Sequence, residues 1–313
     1  MTGSVPSGSP HPRGAGRSEF NRRVVSALAL AAAAVAATWY GGIPFAALWA
    51  VAAACVVAEW LVLIGPHARI AADAESSDDR LLVALRLLAA AGTGAVPLMM
   101  ALGWHATAVS AAVLAFASIV GWVFVAYSQR TNDDDWRRRF GGLLPAWALG
   151  GILVGGLVGL VPVFARDLPL IGASLIAWMF AVVWTTDIAA YFTGRAIGGP
   201  KLWPRVSPNK TWAGFWGGAV GGTLAGWLVS LAARGLGVDV PWPEGVVLGV
   251  SLLASVLGQG GDLAESALKR LASVKDSGRI IPGHGGVLDR VDAFLAVCAL
   301  VAIGLASGVL TAH

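Results

Sequence analysis

Nine apolar segments, each close to the ~20 residues that cross a ~30 Å hydrocarbon layer as a helix, follow one another along this 313-residue chain. They are Val24–Tyr40, Pro44–Ile64, Leu81–Leu102, Ala106–Tyr127, Gly141–Val161, Leu168–Ala190, Trp212–Leu231, Val246–Leu268 and Val291–Leu310. Charged residues make up only 13% of the chain and hydrophobic residues 57%, whereas a soluble domain runs nearer ~25% charged. The pattern predicts an all-α, polytopic integral membrane bundle with about nine transmembrane helices. It excludes a disordered chain, a disulfide scaffold and a nucleic-acid binder. Cys55 and Cys298 sit inside apolar runs without CxxC or Cys/His spacing, which leaves zinc and redox chemistry without a motif.

The basic residues predict the orientation. Of the 22 lysines and arginines, nineteen fall in the segment before Val24 or in alternate loops on its side. Only Arg166 and Arg234 fall opposite, and Arg86 lies within the third segment. The excess of positive charge on cytoplasmic loops puts the N-terminus and all large loops in the cytoplasm of an inner (plasma) membrane, with the C-terminus across it. Residues 1–23, rich in Gly, Pro and Ser, read as a disordered cytoplasmic tail. No small-residue cleavage site is followed by a polar mature domain, so a cleaved signal peptide is not expected. Glycines at four-residue spacing, Gly151-Gly155-Gly159 and Gly214-Gly218-Gly222, predict close helix packing in lipid rather than chemistry.

Every lysine lies in the last two large loops: Lys201, Lys210, Lys269 and Lys275. Lysine's compact ammonium suits phosphate. From the end of the eighth segment into the loop after it, Asp262, Glu265, Ser266 and Lys269 recur at helical spacing and share one face. Such a stripe is costly in lipid and should face protein, water or ligand. A self-neutralising set of salt bridges is the alternative. The following loop, Lys275-Asp276-Ser277-Gly278 through Pro282-Gly283-His284-Gly285-Gly286, can bend tightly and present N–H groups to an anion. Asp289 and Asp292 stand one turn apart where the last segment begins; such oxygens suit Mg²⁺, although an aspartate there can also be a helix cap. Asp187, near the end of the sixth segment, is predicted at the same depth as Asp262, Asp289 and Asp292. Glu59, near the end of the second segment, reads as a locally paired carboxylate.

Ser266-x-x-Lys269-Arg270, Lys275-Asp276, Pro282-Gly283-His284-Gly285-Gly286 and Asp289-Arg290-x-Asp292 resemble the signature of the phosphatidate cytidylyltransferase (CDP-diacylglycerol synthase) family. Gly260-Gly261-Asp262-Leu-x-Glu265-Ser266 and Ser207-Pro208-Asn209-Lys210-Thr211 resemble it too. The likeness runs from about Asp187 to Asp292. One departure is Ala213, where the family's loop often continues with glutamate.

The resemblance implies that CTP and phosphatidic acid give CDP-diacylglycerol and pyrophosphate with Mg²⁺, and it leaves room for a second, monovalent cation and for a homodimer. It implies Asp262, Lys269, Asp289 and Asp292 as catalytic residues, with Asp262, Asp289, Asp292 and Asp187 as metal ligands. Ser207, Lys210, Ser266, Arg270, Lys275, His284 and Arg290 are implied to bind substrate. Residues 24–165 are then the N-terminal transmembrane helices, and 166–313 the catalytic transmembrane region with its cytoplasmic loops. Two other readings share some of these features: a CTP-dependent lipid kinase, and a transporter whose intramembrane carboxylates bind cations. The transporter predicts charge at the bilayer midplane rather than at one edge.

Overall fold

A computed structural model describes residues 15–65, 77–128, 143–278, 280–281 and 285–310. Within them the chain forms nine helices and one short hairpin. The helices are α1 (Ala15–Tyr40), α2 (Gly42–Ile64), α3 (Ser77–Ala101), α4 (His105–Ser128), α5 (Leu144–Arg166), α6 (Gly172–Ile197), α7 (Trp212–Gly235), α8 (Glu244–Leu271) and α9 (Leu288–Ala306). Helices α2 to α8 are long and apolar enough to cross a membrane, so the chain is a multi-pass membrane protein. In α1 the apolar part, Val25–Tyr40, is shorter. In α9 an otherwise apolar helix carries Asp289, Arg290 and Asp292 at its start.

The elements differ from the sequence expectation mainly at their ends. Helix α1 begins at Ala15, so residues 15–23 of the expected disordered tail are helical; residues 1–14 lie outside the described residues. Helix α6 runs on to Ile197, and α8 continues unbroken through Gly258-Gln259-Gly260-Gly261 to Leu271. Apolar run length marks the hydrocarbon layer, but a helix continues past it for as long as its backbone bonds are satisfied. Gly198 at φ +69° and Gly199 at φ +91° end α6 by turning into the left-handed region that glycine tolerates. There the chain forms a hairpin of β1 (Lys201–Trp203) and β2 (Ser207–Thr211), antiparallel, pairing Lys201 with Thr211 and Trp203 with Ser207. Trp212 N–H donates to Pro200 O at 3.1 Å and closes its base. Thr211 then caps α7, its Oγ1 accepting from Gly214 N–H at 3.1 Å.

The two glycine series do pack helices, against different partners. On α5, a Cβ at Gly151 would lie 2.6 Å from the Trp60 ring and one at Gly155 2.4 Å from Val57, both on α2. On α7, a Cβ at Gly218 would lie 2.9 Å from Thr186 O of α6. One at Gly222 would meet Thr186 Oγ1 at 2.1 Å and Ser255 Oγ of α8 at 2.8 Å. Between the two groups of helices the rings of Trp49 (α2), Phe294 (α9) and Phe180 (α6) stack at centroid distances of 4.9 and 5.2 Å. Up-and-down threading brings the end of α6, the hairpin, the start of α7, the end of α8 and the start of α9 to one end of the bundle. Arg166, donating to Thr38 O at 2.8 Å, and Arg234, donating to the carbonyls of Val240 and Trp242, mark the other end.

Candidate active site

The charged end of α8 meets partners from the hairpin and from α9. Lys210, on β2, donates to Asp262 Oδ2 at 2.5 Å. Ser266, one turn along α8, donates to Asp262 Oδ1 at 3.4 Å. A further turn on, Lys269 Nζ lies 2.6 Å from Glu265 Oε2 and 2.8 Å from Asp289 Oδ1, so one ammonium bridges carboxylates of α8 and α9. Arg270 at the end of α8 donates to Val206 O at 3.3 Å and holds the hairpin turn against the helix. The hairpin is thereby tied to α8 at two points, Val206 and Lys210, and Ser207 lies between them in sequence.

Asp289 is enclosed by backbone. Ser277 N–H donates to both of its oxygens at 3.1 Å, and Gly286 N–H donates to Oδ2 at 2.8 Å. Gly285 sits at φ +88°, where a Cβ would stand 2.7 Å from Asp289 Oδ2. The loop thus bends around this carboxylate, as an anion-binding run of N–H groups does. Asp292, on the next turn of α9, accepts from Ala293 N–H at 2.8 Å. Its charge interacts with those of Asp262 and Asp187, and Asp187 also feels Lys210 and Arg290. Close approach makes this possible: a Cβ at Gly261 of α8 would lie 2.6 Å from Asp292 O. The structure therefore brings Asp187, Asp262, Asp289, Asp292, Lys210, Ser266, Lys269 and Arg290 to one end of the bundle, while Lys275 is exposed on the loop. His284 lies outside the described residues.

One participant differs from its sequence reading. Glu59, 4% exposed on α2, does not pair locally. It accepts from Ser277 Oγ at 2.9 Å, Val287 N–H at 2.9 Å and Leu288 N–H at 2.8 Å, more than 200 positions along the chain. The one sequence signal was a lone carboxylate in an apolar segment, which must find partners somewhere; nothing local says where.

Comparison with known proteins bears on what this end of the bundle does. Residues 21–307 match the model of the cytidylyltransferase family. The chain belongs to the cytidylyltransferase family. A phosphatidate cytidylyltransferase of Brucella suis is 49% identical over 156 residues, covering 50% of this chain and 55% of that protein. One of Bacillus subtilis is 47% identical over 132 residues, 42% of this chain and 47% of that protein. One of Staphylococcus aureus is 39% identical over 191 residues, 61% of this chain and 69% of that protein. The chain spans about half the length of the Brucella and Bacillus relatives it matches. The region matched to the cytidylyltransferase family takes in Glu59 as well as the charged end of α6, α8 and α9.

The oxygen donors at this end of the bundle suit a hard divalent cation. Among the described residues, no three or more His, Cys, Asp or Glu side chains gather closely enough to hold an ion by themselves. Mg²⁺ needs no such cage, since it commonly takes one or two carboxylates and completes its shell with water and phosphate. One or two of Asp187, Asp262 and Asp292 would meet that demand: their like charges interact, and a cation there would relieve the repulsion. Asp289 is the more enclosed, its oxygens engaged by Lys269 and two backbone N–H groups, whereas those of Asp262 are met by the side chains of Lys210 and Ser266.

Proposed function

We propose that this chain transfers the cytidylyl group of CTP to phosphatidic acid, releasing pyrophosphate and forming CDP-diacylglycerol. The observation that carries the reading is the set of paired charges, Lys210 with Asp262 and Lys269 with both Glu265 and Asp289, at one end of a bundle of apolar helices. A lipid phosphate sits at that depth of a bilayer, and a water-soluble nucleotide reaches it from the adjoining aqueous side. In the reaction a phosphate oxygen of the lipid forms a bond to the α-phosphorus of CTP. The bond from that phosphorus to the bridging oxygen breaks, and pyrophosphate leaves in line.

Both reactants are anions, so positioning and charge screening dominate such a transfer. Lys210, 27% exposed and held by Asp262, can turn toward a triphosphate, and Arg290 lies at the same end to meet a second phosphate. Lys269, fixed between Glu265 and Asp289, holds the α8–α9 geometry while those groups bind. One or two of Asp262, Asp292 and Asp187 would hold Mg²⁺, which would supply charge screening of the triphosphate and of the leaving pyrophosphate. The distribution of basic residues supports a bacterial inner membrane with this end in the cytoplasm. The deciding experiment supplies full-length protein in detergent with phosphatidic acid, Mg²⁺ and CTP labelled at the α-phosphate. Label in an extractable lipid, with one pyrophosphate released per lipid, is the expected result. Label left in water-soluble CDP would mean phosphorylation instead and would overturn the reading.

A further inference from the structure

Glu59 belongs to the N-terminal half of the chain, yet its contacts lie in the loop that leads into α9. We propose that Glu59 is a positioning residue for the transfer, its carboxylate fixing Ser277 and Gly278 on one side and Gly286, Val287 and Leu288 on the other, and through them the placement of Asp289. The proposal rests on the function proposed above for its catalytic consequence, though not for its geometry.

Two independent observations support it. The first is the hydrogen bonding. The cap residue of α9, Val287, offers no side-chain cap; instead Val287 and Leu288 donate their N–H groups to Glu59 at 2.9 and 2.8 Å. A carboxylate from another helix thus occupies the capping position, where the helix dipole favours negative charge. Ser277 links this carboxylate to the next: its Oγ donates to Glu59 Oε2 at 2.9 Å while its N–H donates to Asp289. The second is steric. A Cβ on Gly278 would meet Glu59 atoms at 2.6, 2.9 and 3.1 Å, and these are its three nearest neighbours. A Cβ on Gly286 would meet Ser277 Oγ first and then Glu59 Oε2, and Gly286 N–H is itself a donor to Asp289. Ser277 and Gly286 thus lie between Glu59 and Asp289. Moving the first carboxylate moves the N–H groups that hold the second.

The test uses Glu59→Ala, Glu59→Gln, Gly278→Ala and the double variant of Glu59→Ala with Gly278→Ala, all in the full chain. It reads amide hydrogen exchange across residues 273–290, melting temperature, and kcat and KM for CTP. Glu59→Ala should speed exchange in that segment while α6 to α8 exchange as before. Loss of a charge-assisted network of this kind should lower kcat by about tenfold or more, with KM changing less than about threefold. Glu59→Gln turns one acceptor into a donor facing N–H groups, so it should behave like Glu59→Ala rather than like the wild type. Gly278→Ala should cause the same loss alone but change exchange and kcat by less than about twofold once Glu59 is already Ala, because the three atoms nearest the added Cβ all belong to Glu59. Unchanged loop exchange in Glu59→Ala would overturn the proposal, as would a Gly278→Ala effect equally large in both backgrounds. So would a fold-wide rise in exchange with a collapsed melting temperature in both Glu59 variants, which would make Glu59 a general support. If the wild-type chain forms no nucleotide-bearing lipid, the proposed function fails, while exchange and suppression still decide the clamp.

Discussion

The Lys210–Asp262 pair leaves its side chains 27% and 30% exposed, whereas Lys269 and Asp289 keep 14% and 6%. A pair that water reaches contributes little to stability, at most about 1 kcal/mol. Removing one member of an enclosed pair leaves the other uncompensated, at about 3–5 kcal/mol. Asp262→Asn should therefore melt close to the wild type yet lose turnover, by about 100-fold or more if it orders the triphosphate. Asp289→Asn should lose turnover and melt markedly lower, because Ser277 and Gly286 also lose their anion. Thermal melts in detergent beside the labelled-CTP assay separate the two; equal melting of both variants would contradict the assigned environments. The residue types and their helical spacing made both aspartates visible in the sequence. The spacing could not show that Asp289 is wrapped by its own loop, because backbone N–H groups leave no mark in side-chain identity. Glu59 was still less legible, since its partners lie beyond any local pattern.

Helix packing around the site depends on missing side chains. At Gly222 of α7 a Cβ would stand 2.1 Å from Thr186 Oγ1 and 2.8 Å from Ser255 Oγ, and those hydroxyls bond each other at 2.7 Å. Ser255 also donates to Gly218 O at 3.2 Å, so α6, α7 and α8 share one buried polar junction beneath the charged end. Gly222→Ala should break it and cost about 1–3 kcal/mol by overpacking. Gly249→Ala, on an open face of α8, should be neutral or gain up to about 1 kcal/mol from helix propensity. Melting temperatures of the two variants against wild type check the contrast, and similar losses in both would show that crowding is not the cause. The four-residue glycine spacing revealed that packing occurs but not which helix comes near. The β1–β2 hairpin was not legible at all. Its strands are short, one contains Pro208, and their pairing depends on Gly198 and Gly199 folding the chain back after α6.

At the scale of the whole molecule, apolar runs and basic loops were enough to anticipate a polytopic helical bundle, and its clustered aspartates do lie at one end of it. They overstated the tail, because a polar stretch such as Ala15–Arg23 can still be helical when it continues an apolar helix. What they could not supply is the join between the halves. The stack of Trp49, Phe294 and Phe180 and the bonds from Glu59 make the N-terminal helices a support for the site rather than a separate anchor. The charge asymmetry has a consequence that can be tested on the intact protein in its membrane. The end bearing the hairpin carries Arg195, Lys201, Arg205, Lys210, Lys269, Arg270 and Lys275, and the other end Arg166 and Arg234. Positive charge is retained on the cytoplasmic side, so Lys201→Cys should react with a membrane-impermeant maleimide only after the membrane is opened. Leu236→Cys, 84% exposed between α7 and α8, should react from outside in intact cells. Cys55→Ala and Cys298→Ala remove the native thiols from both measurements. The reverse labelling would place the paired charges away from the compartment that holds CTP, and the reaction proposed for them could not be supplied with nucleotide.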